Sequence, residues 1–341
     1  MKNNQLNKTL FFSKTNDFLN LYLPKQAMKS ENTINTYRDG LTVFRKYLSE
    51  EKGKSIRKFR FEECTHDLLL EYMAYLKEKG CVASTCNNRL ATLRAYLWYV
   101  ADGEISMQSI ALAASKVPFI KGEQKVKEII HPDDFAALLA APSANTKIGI
   151  RDRTIMILLY DSAIRVSELR ELTLDSLYLS ADIPYIRVHG KGDKERVVSI
   201  TDKTVKHLVK YLEIYHSDLI KNRPLFYTVI KGNLSAISTG NIERIINKYA
   251  EMIRPDHPDL PQKLHPHMFR RTRATGLYQS GVELELVSRI LGHASTQTTR
   301  IYATPSIEML KDAMERNTDG ITETAQWLED EEELARLCGI R

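Results

Sequence analysis

The sequence predicts a mostly α-helical protein of two domains, the second an α+β unit with a small β-hairpin. Three observations predict it. The chain has 341 residues, and at ~150 residues per domain that length suits two units. Apolar side chains recur at helical spacing through most of the chain. One pair of β-branched runs flanks a glycine-rich turn, the pattern of a hairpin.

The first ~115 residues are expected to be all-helical. Between Ser30 and Glu51 the residues Ile34, Tyr37, Leu41, Phe44 and Leu48 form one amphipathic stripe, with Ser30 as its cap. A second helix is expected from Thr65 to Lys79, carrying Leu69, Tyr72, Met73 and Leu76 and ended by Gly80. A third starts near Ser84, with Leu90, Leu93, Leu97 and Val100 inward. Arg89 and Arg94 fall off that stripe, free to meet phosphate or simply to face water. Residues 116–128 mix Pro, Gly and lysines, including Lys121 and Lys125, and read as a linker able to track a polyanion backbone. The domains are therefore taken as 1–115, 116–128 (linker), 129–318, and an acidic tail at 319–341.

Beyond the linker, His131-Pro132-Asp133-Asp134 looks like a helix start. Thr154 to Leu172 is a strongly apolar helical stretch broken near Ser162-Ala163. Tyr185 to Val188 and Arg196 to Ile200 bracket the turn that holds Lys191 and Lys194. The remainder to about Asn317 is expected to be helical.

Charge narrows the partner. The net charge is +6, yet residues 321–341 carry six acidic and two basic side chains, which leaves +10 on residues 1–320. Residues 1–125 alone hold 20 Lys+Arg against 13 Asp+Glu. A basic body suits a polyanion. The four cysteines, Cys64, Cys81, Cys86 and Cys338, fit neither a zinc spacing nor a disulfide framework. Free thiols, no secretion signal and no apolar run of ~18 residues point to the cytoplasm.

Four short segments carry chemistry. Arg165 lies late in the apolar stretch, where it needs an anionic partner; Glu168, three residues on, is available. Lys191 sits in the hairpin turn, either solvated or placed to give up a proton. His267 and Arg270 share a helix face. His293, after Gly292 at a helix junction, precedes Tyr302 by nine residues. Each alone is ordinary. Together they assemble cations, imidazoles and a phenol with no carboxylate in the reacting set, which suits a phosphodiester. Two guanidinium forks match the non-bridging oxygens, a lysine protonates a leaving oxygen, and a phenol attacks.

These segments, in this order and at these separations, resemble the tyrosine recombinase (phage-type integrase) family from about Thr9 to Asn317. The matched elements are Arg165-x-Ser-Glu-Leu, Gly190-Lys191-Gly-Asp-Lys194, His267-x-x-Arg270, and Leu291-Gly-His293 through Thr298-Thr299 to Tyr302. The resemblance implies a helical, SAM-like core-binding domain followed by a catalytic domain with a small sheet. It implies Tyr302 as nucleophile forming a 3′-phosphotyrosine, Arg165 and Arg270 as the phosphate clamp, Lys191 as general acid, His267 as the aid to tyrosine deprotonation, and His293 as a further phosphate support. Glu168 is then expected to orient Arg165. Many relatives have histidine where this chain has Arg271, which puts local packing or an extra phosphate contact in question. DNA contacts are expected at Arg89, Arg94, Lys121, Lys125, Lys194 and Arg271.

The implied partner is double-stranded DNA with inverted-repeat core sites, bound by a homotetramer and assisted in some systems by accessory proteins. No cofactor and no metal are expected, because arginines supply the charge. Trp327, Leu328, Leu334, Leu337 and Ile340 can share one helical face of the tail, which in the family often docks in trans. An integrase or transposase of a mobile element is the expected job, with an Xer-like dimer resolvase as the alternative. Rival readings are a type IB topoisomerase, a non-catalytic DNA-binding protein, and a metal-dependent hydrolase built on His265, His267 and His293.

Overall fold

The computed structural model describes residues 9–122, 128–190, 194–218, 220–293, 295–316 and 331–340. The chain divides into two compact units, residues 1–126 and 127–341. Among the described residues no helix is long and apolar enough to cross a membrane.

The first unit opens with an irregular helical segment running from Phe11 to Gln26, with Pro24 inside it. Four helices follow: α1 (Glu31–Glu50), α2 (His66–Glu78), α3 (Ala83–Gly103) and α4 (Gln108–Lys116). Ser30 caps α1 by accepting from Thr33 N, and Thr65 caps α2 by accepting from Leu68 N. Such caps satisfy amides that would otherwise lack partners. Gly80 adopts φ +79° and lets the chain leave α2.

The core of this unit is aromatic. Phe11 stands with ring centroids 5.3–5.4 Å from Phe44, Phe59, Phe61 and Tyr96. The Tyr96 hydroxyl donates to the Phe11 carbonyl, so the buried phenol is satisfied. Helices α1 and α3 come close where Gly40 faces Thr92; a Cβ at Gly40 would lie 2.9 Å from the Thr92 side chain.

Two expectations change here. Arg94 does not stand free: its Nε donates to the Ala114 carbonyl at 3.0 Å, its Nη2 to the Val117 carbonyl, and its guanidinium lies over the Phe119 ring. The last turn of α4 leaves carbonyls without helical partners, and Arg94 caps them. The expected linker also starts too early. Lys116 is still in α4, Val117 is buried in the core, and Asn87 bonds both the amide and the carbonyl of Ile120.

The second unit begins with α5 (Pro132–Ala140), α6 (Lys147–Asp161) and α7 (Val166–Glu171). An antiparallel sheet follows, ordered β1 (Leu177–Tyr178), β2 (Tyr185–Gly190), β3 (Lys194–Ser199). Its register pairs Arg187 with Val197 and Val188 with Arg196. Ile186, Val188 and Val198 are buried on one face, whereas Val197 is exposed. Then come α8 (Asp202–Tyr215), a second hairpin of β4 (Tyr227–Ile230) and β5 (Asn233–Ala236), α9 (Thr239–Ile253), α10 (Pro266–Gln279) and α11 (Leu284–Leu291). Two 3-10 turns, Thr296–Thr298 and Arg300–Tyr302, lead to α12 (Ile307–Arg316) and α13 (Glu331–Leu337). One core joins α5, α6, the sheet and α8 to α10 through Leu138, Leu158, Ile186, Tyr211, Ile246 and Phe269.

The mostly α fold with a small sheet is the one expected, with one correction. The stretch after Ile200 is not wholly helical, because β4 and β5 form a hairpin over Lys231 (φ 50°) and Gly232 (φ 80°). Positive φ at both turn positions suits the twist of a two-residue hairpin. Lys125, Lys191, Trp327 and Leu328 lie outside the described residues.

Gly149 in α6 offers a direct test of this packing. A Cβ there would sit 2.1 Å from the Ser143 carbonyl oxygen, so Gly149→Ala is expected to destabilise the second unit by about 1–3 kcal/mol. Gly276, in α10 with nothing within 4 Å of its added Cβ, gives the opposite sign. Gly276→Ala should stabilise by about 0.5–1 kcal/mol. Urea unfolding midpoints of the two variants against the parent measure both.

Candidate functional site

The site is assembled where helices stop. Helix α6 ends at Asp161, and Ala163 takes φ 49°. This left-handed turn costs a non-glycine residue about 1–2 kcal/mol. It frees the Ala163 carbonyl and sets Arg165 at the N-cap of α7. Helix α11 ends at Gly292 with φ 62°, which turns His293 back toward α10. Pro266 at the first turn of α10 places His267 and Arg270 one helical turn apart.

Arg270 is the fixed centre. Its side chain is 1% exposed. Nη1 donates to the Ala163 carbonyl at 2.6 Å, and Nη2 to the Leu291 carbonyl at 2.5 Å and to His293 Nε2 at 2.9 Å. Its Nε is buried with no partner. Burial, then the nearby Arg165 charge, push its pKa down to about 10, so it stays protonated at neutral pH. Carbonyl dipoles from two helix ends thus hold a buried cation that no carboxylate pairs.

His293 is held at both ring nitrogens. Nε2 faces an arginine, which can only donate, so Nε2 accepts. A neutral ring then carries its proton on Nδ1, which donates to Thr299 Oγ1 at 2.8 Å. Burial, then the charges of Arg270 and Arg165, push its pKa down to about 4. Thr299 is itself fully buried. Tyr302 lies one turn later, 2% exposed, its ring stacked on His293 at 6.0 Å between centroids. Its hydroxyl is 3.2 Å from His267 Nε2.

Glu168, 4% exposed, organises the other side. It accepts from Arg165 N at 2.8 Å and Arg165 Nη1 at 2.9 Å. It also takes both Nη1 and Nη2 of Arg196, each at 2.9 Å. Burial alone would raise its carboxyl; the bonds from Arg196 and Arg165 overcome that and hold it below the usual range. Arg165 keeps 38% of its side chain exposed and adds only a long 3.5 Å bond to the Gly292 carbonyl. Three guanidiniums against one carboxylate, with a neutral His293, leave two uncompensated positive charges. Such a cluster suits a phosphodiester whose charge grows in a pentacoordinate transition state.

The expected residues Arg165, Glu168, Arg270, His267, His293 and Tyr302 therefore meet in one place. Lys191 lies outside the described residues; the strands that bracket it end at Gly190 and start at Lys194. The DNA-contact expectations fare differently. Arg271 is turned inward, 9% exposed, and donates to the Glu128 carbonyl, so packing claims it. Arg89 is half-buried and donates to Cys81 Sγ at 3.1 Å. Lys121 is exposed. The metal reading loses its third ligand, since both nitrogens of His293 are engaged. Among the described residues no group of three His, Cys, Asp or Glu is placed to hold a metal.

Arg196 and Thr299 were missed. Arg196 had a signal: strand alternation puts it on the same face as Val198, the buried one, and an inward charge demands an acid. Thr299 falls in the Thr298-Thr299 pair of the matched motif, but nothing in the sequence marks it as the partner of His293.

Comparison with known proteins places the chain in a family. Residues 128–309 match the model of the phage integrase family, and residues 16–102 match its N-terminal SAM-like domain. Tyrosine recombinase XerC of Thermodesulfovibrio yellowstonii is 31% identical over 312 residues, covering 88% of this chain and 94% of that protein. Tyrosine recombinase XerD of Staphylococcus aureus is 28% identical over 273 residues, covering 80% and 88%. Two solved structures share the fold. XerH bound to palindromic difH substrate in a post-cleavage complex has a TM-score of 0.64 at 23% identity, covering 84% and 79%. The Tn1549 transposon integrase with transposon right end DNA has 0.67 at 17%, covering 90% and 99%.

The His293 ring sets a pH dependence. Its pKa falls from ~6.5 in the unfolded chain to about 4 in the fold. The unfolded state thus binds the extra proton between these values, and stability is present above the upper one and lost as pH falls toward the lower. The slope is at most one proton's worth, about 1.4 kcal/mol per pH unit. His293→Gln keeps an acceptor for Arg270 and a donor for Thr299 and cannot titrate. Urea midpoints at a series of pH values should fall less steeply toward acid for the variant than for the parent.

Proposed function

The chain belongs to the phage integrase family of tyrosine recombinases, and from that membership we propose that it cuts and rejoins duplex DNA at a specific site through a phosphotyrosine at Tyr302. The observation that carries this reading is the Tyr302 hydroxyl at 3.2 Å from His267 Nε2, beside the buried Arg270–His293 pair.

His267 accepts the phenol proton as the Tyr302 oxygen attacks phosphorus. Arg165 and Arg270 bind the two non-bridging oxygens while charge builds on them. The bond from phosphorus to the 5′-oxygen breaks, and Lys191 gives that oxygen a proton. One phosphodiester is exchanged for one phosphotyrosine, so no nucleotide hydrolysis is required. A 5′-hydroxyl from another strand then reverses the step and seals a new junction. The arginines supply the positive charge that a metal ion supplies in other phosphoryl-transfer sites.

Duplex DNA with inverted-repeat core sites is the proposed substrate, acted on by four copies of the chain. The basic balance of residues 1–125 supports the N-terminal unit as part of the DNA grip. For the biological job, likeness in sequence outweighs likeness in fold. The relatives named XerC and XerD support an Xer-like resolvase over the mobile-element integrase expected from the sequence. The Tn1549 likeness, at 17% identity, speaks to the fold alone.

The test is covalent capture. Parent protein and Tyr302→Phe are mixed, in EDTA, with genomic fragments of the source organism nicked so that a cleaved end diffuses away. A denaturation-resistant protein–DNA complex with the parent and none with Tyr302→Phe is expected. A complex that survives Tyr302→Phe would assign the nucleophile elsewhere. Sequencing the captured DNA decides the job: one chromosomal locus supports the resolvase, the ends of a mobile element the integrase. Arg270→Ala should slow complex formation ~10²–10³-fold, measured as a single-turnover rate.

A further inference from the structure

Arg196 has no role in the steps above, yet it is among the most tightly held side chains around them. Its strand, β3, points it to the buried face of the sheet, and its side chain is 16% exposed. Both terminal nitrogens grip the two oxygens of Glu168 at 2.9 Å. Its Nε is buried with no hydrogen-bond partner. The bare Cα of Gly292 makes room for it: a Cβ there would stand 2.7 Å from Arg196 Nε and 2.8 Å from Cδ and Cζ. Arg196 therefore fills the space between the carboxylate of α7 and the turn that carries His293.

The arrangement answers a competition. A carboxylate offers about four lone-pair sites and prefers to take a guanidinium fork with both oxygens. Glu168 stands three residues from Arg165 and already holds its backbone amide. With no other partner, it would take the Arg165 fork as well and turn those donors away from DNA. The Arg196 fork occupies both oxygens first. Arg165 is then left with a single bond from Nη1 and a long one from Nη2, with over a third of its side chain open.

We propose that Arg196 is a positioning residue for strand cleavage: by saturating Glu168 it keeps the outer donors of Arg165 turned toward the scissile phosphate. This rests on the phosphotyrosine reading. Arg196 itself acts through Glu168 and Arg165 and touches no reacting atom.

The test is a double-mutant cycle on single-turnover formation of the covalent complex, with full-length protein and the captured nicked duplex. Arg196→Gln removes the fork and should slow cleavage roughly 10–100-fold, the range for groups that orient a site's ligands. DNA affinity, measured separately by gel shift, should change far less than the rate. Arg196→Lys retains charge without the fork and should recover part of the rate. The cycle supplies the readout a structural role does not move. In an Arg165→Ala background, Arg196→Gln should cost almost nothing more, since its effect runs through the missing side chain. An Arg196→Gln rate equal to the parent's overturns the proposal. So does a loss that multiplies in full with that of Arg165→Ala. If Arg196→Gln melts below the assay temperature, Arg196→Lys is carried through the same cycle with the same two criteria. Failure of the parent itself to form a Tyr302-dependent complex would instead overturn the phosphotyrosine reading.

Discussion

The structure depends on holding like charges together around a single carboxylate. Arg165, Arg196 and Arg270 converge on a site with one carboxylate. An unpaired buried charge is expensive, and a cluster of them more so. The chain meets this cost by two separate devices. The terminal nitrogens of Arg270 are satisfied by the carbonyls of Ala163 and Leu291 and by the lone pair of His293. Arg165 and Arg196 share Glu168. Pairing Arg270 with its own acid would remove the cost, and would also remove the positive field of the site.

That constraint accounts for the local backbone. A helix offers free carbonyls only at its C-terminal end. Two such ends, those of α6 and α11, are brought to Arg270. Each needs a left-handed residue nearby, Ala163 after α6 and Gly292 after α11. At Gly292 the demand is doubled, because a side chain there would also strike Arg196. At Ala163 no glycine is present, so the surrounding packing, with Ala274 and Leu291, holds the strained turn.

This also explains which parts were legible in the sequence. Periodic apolar residues and capping side chains are local signals, so the stripe from Ile34 to Leu48, the Ser30 cap and the break at Ser162-Ala163 were readable. The motif residues around Arg165, His267, Arg270, His293 and Tyr302 were readable through their order along the chain, and the fold brings these five together. Arg94 and Arg271 were misread because their partners are main-chain carbonyls, at Ala114, Val117 and Glu128, and any residue type supplies a carbonyl. The hairpin of β4 and β5 was missed because Lys231 takes a positive φ that asparagine or glycine usually signals. Arg196 was legible in principle, since alternation places it inward, but its acid lies 28 positions earlier in the sequence.

The neutral His293 completes the electrostatic argument. An imidazolium beside Arg270 would add a third uncompensated charge to a site that already carries two. Burial and the neighbouring guanidiniums forbid it, and the depressed pKa records that exclusion. The neutral ring is worth more there. Its Nε2 lone pair orients Arg270, and its Nδ1 proton fixes the turn at Thr299, three residues before Tyr302. One imidazole thus ties the guanidinium to the loop that presents the phenol, and the distance between them is set by a side chain that must stay uncharged. A histidine serves because it can accept on one nitrogen and donate on the other, which no lysine or arginine can do.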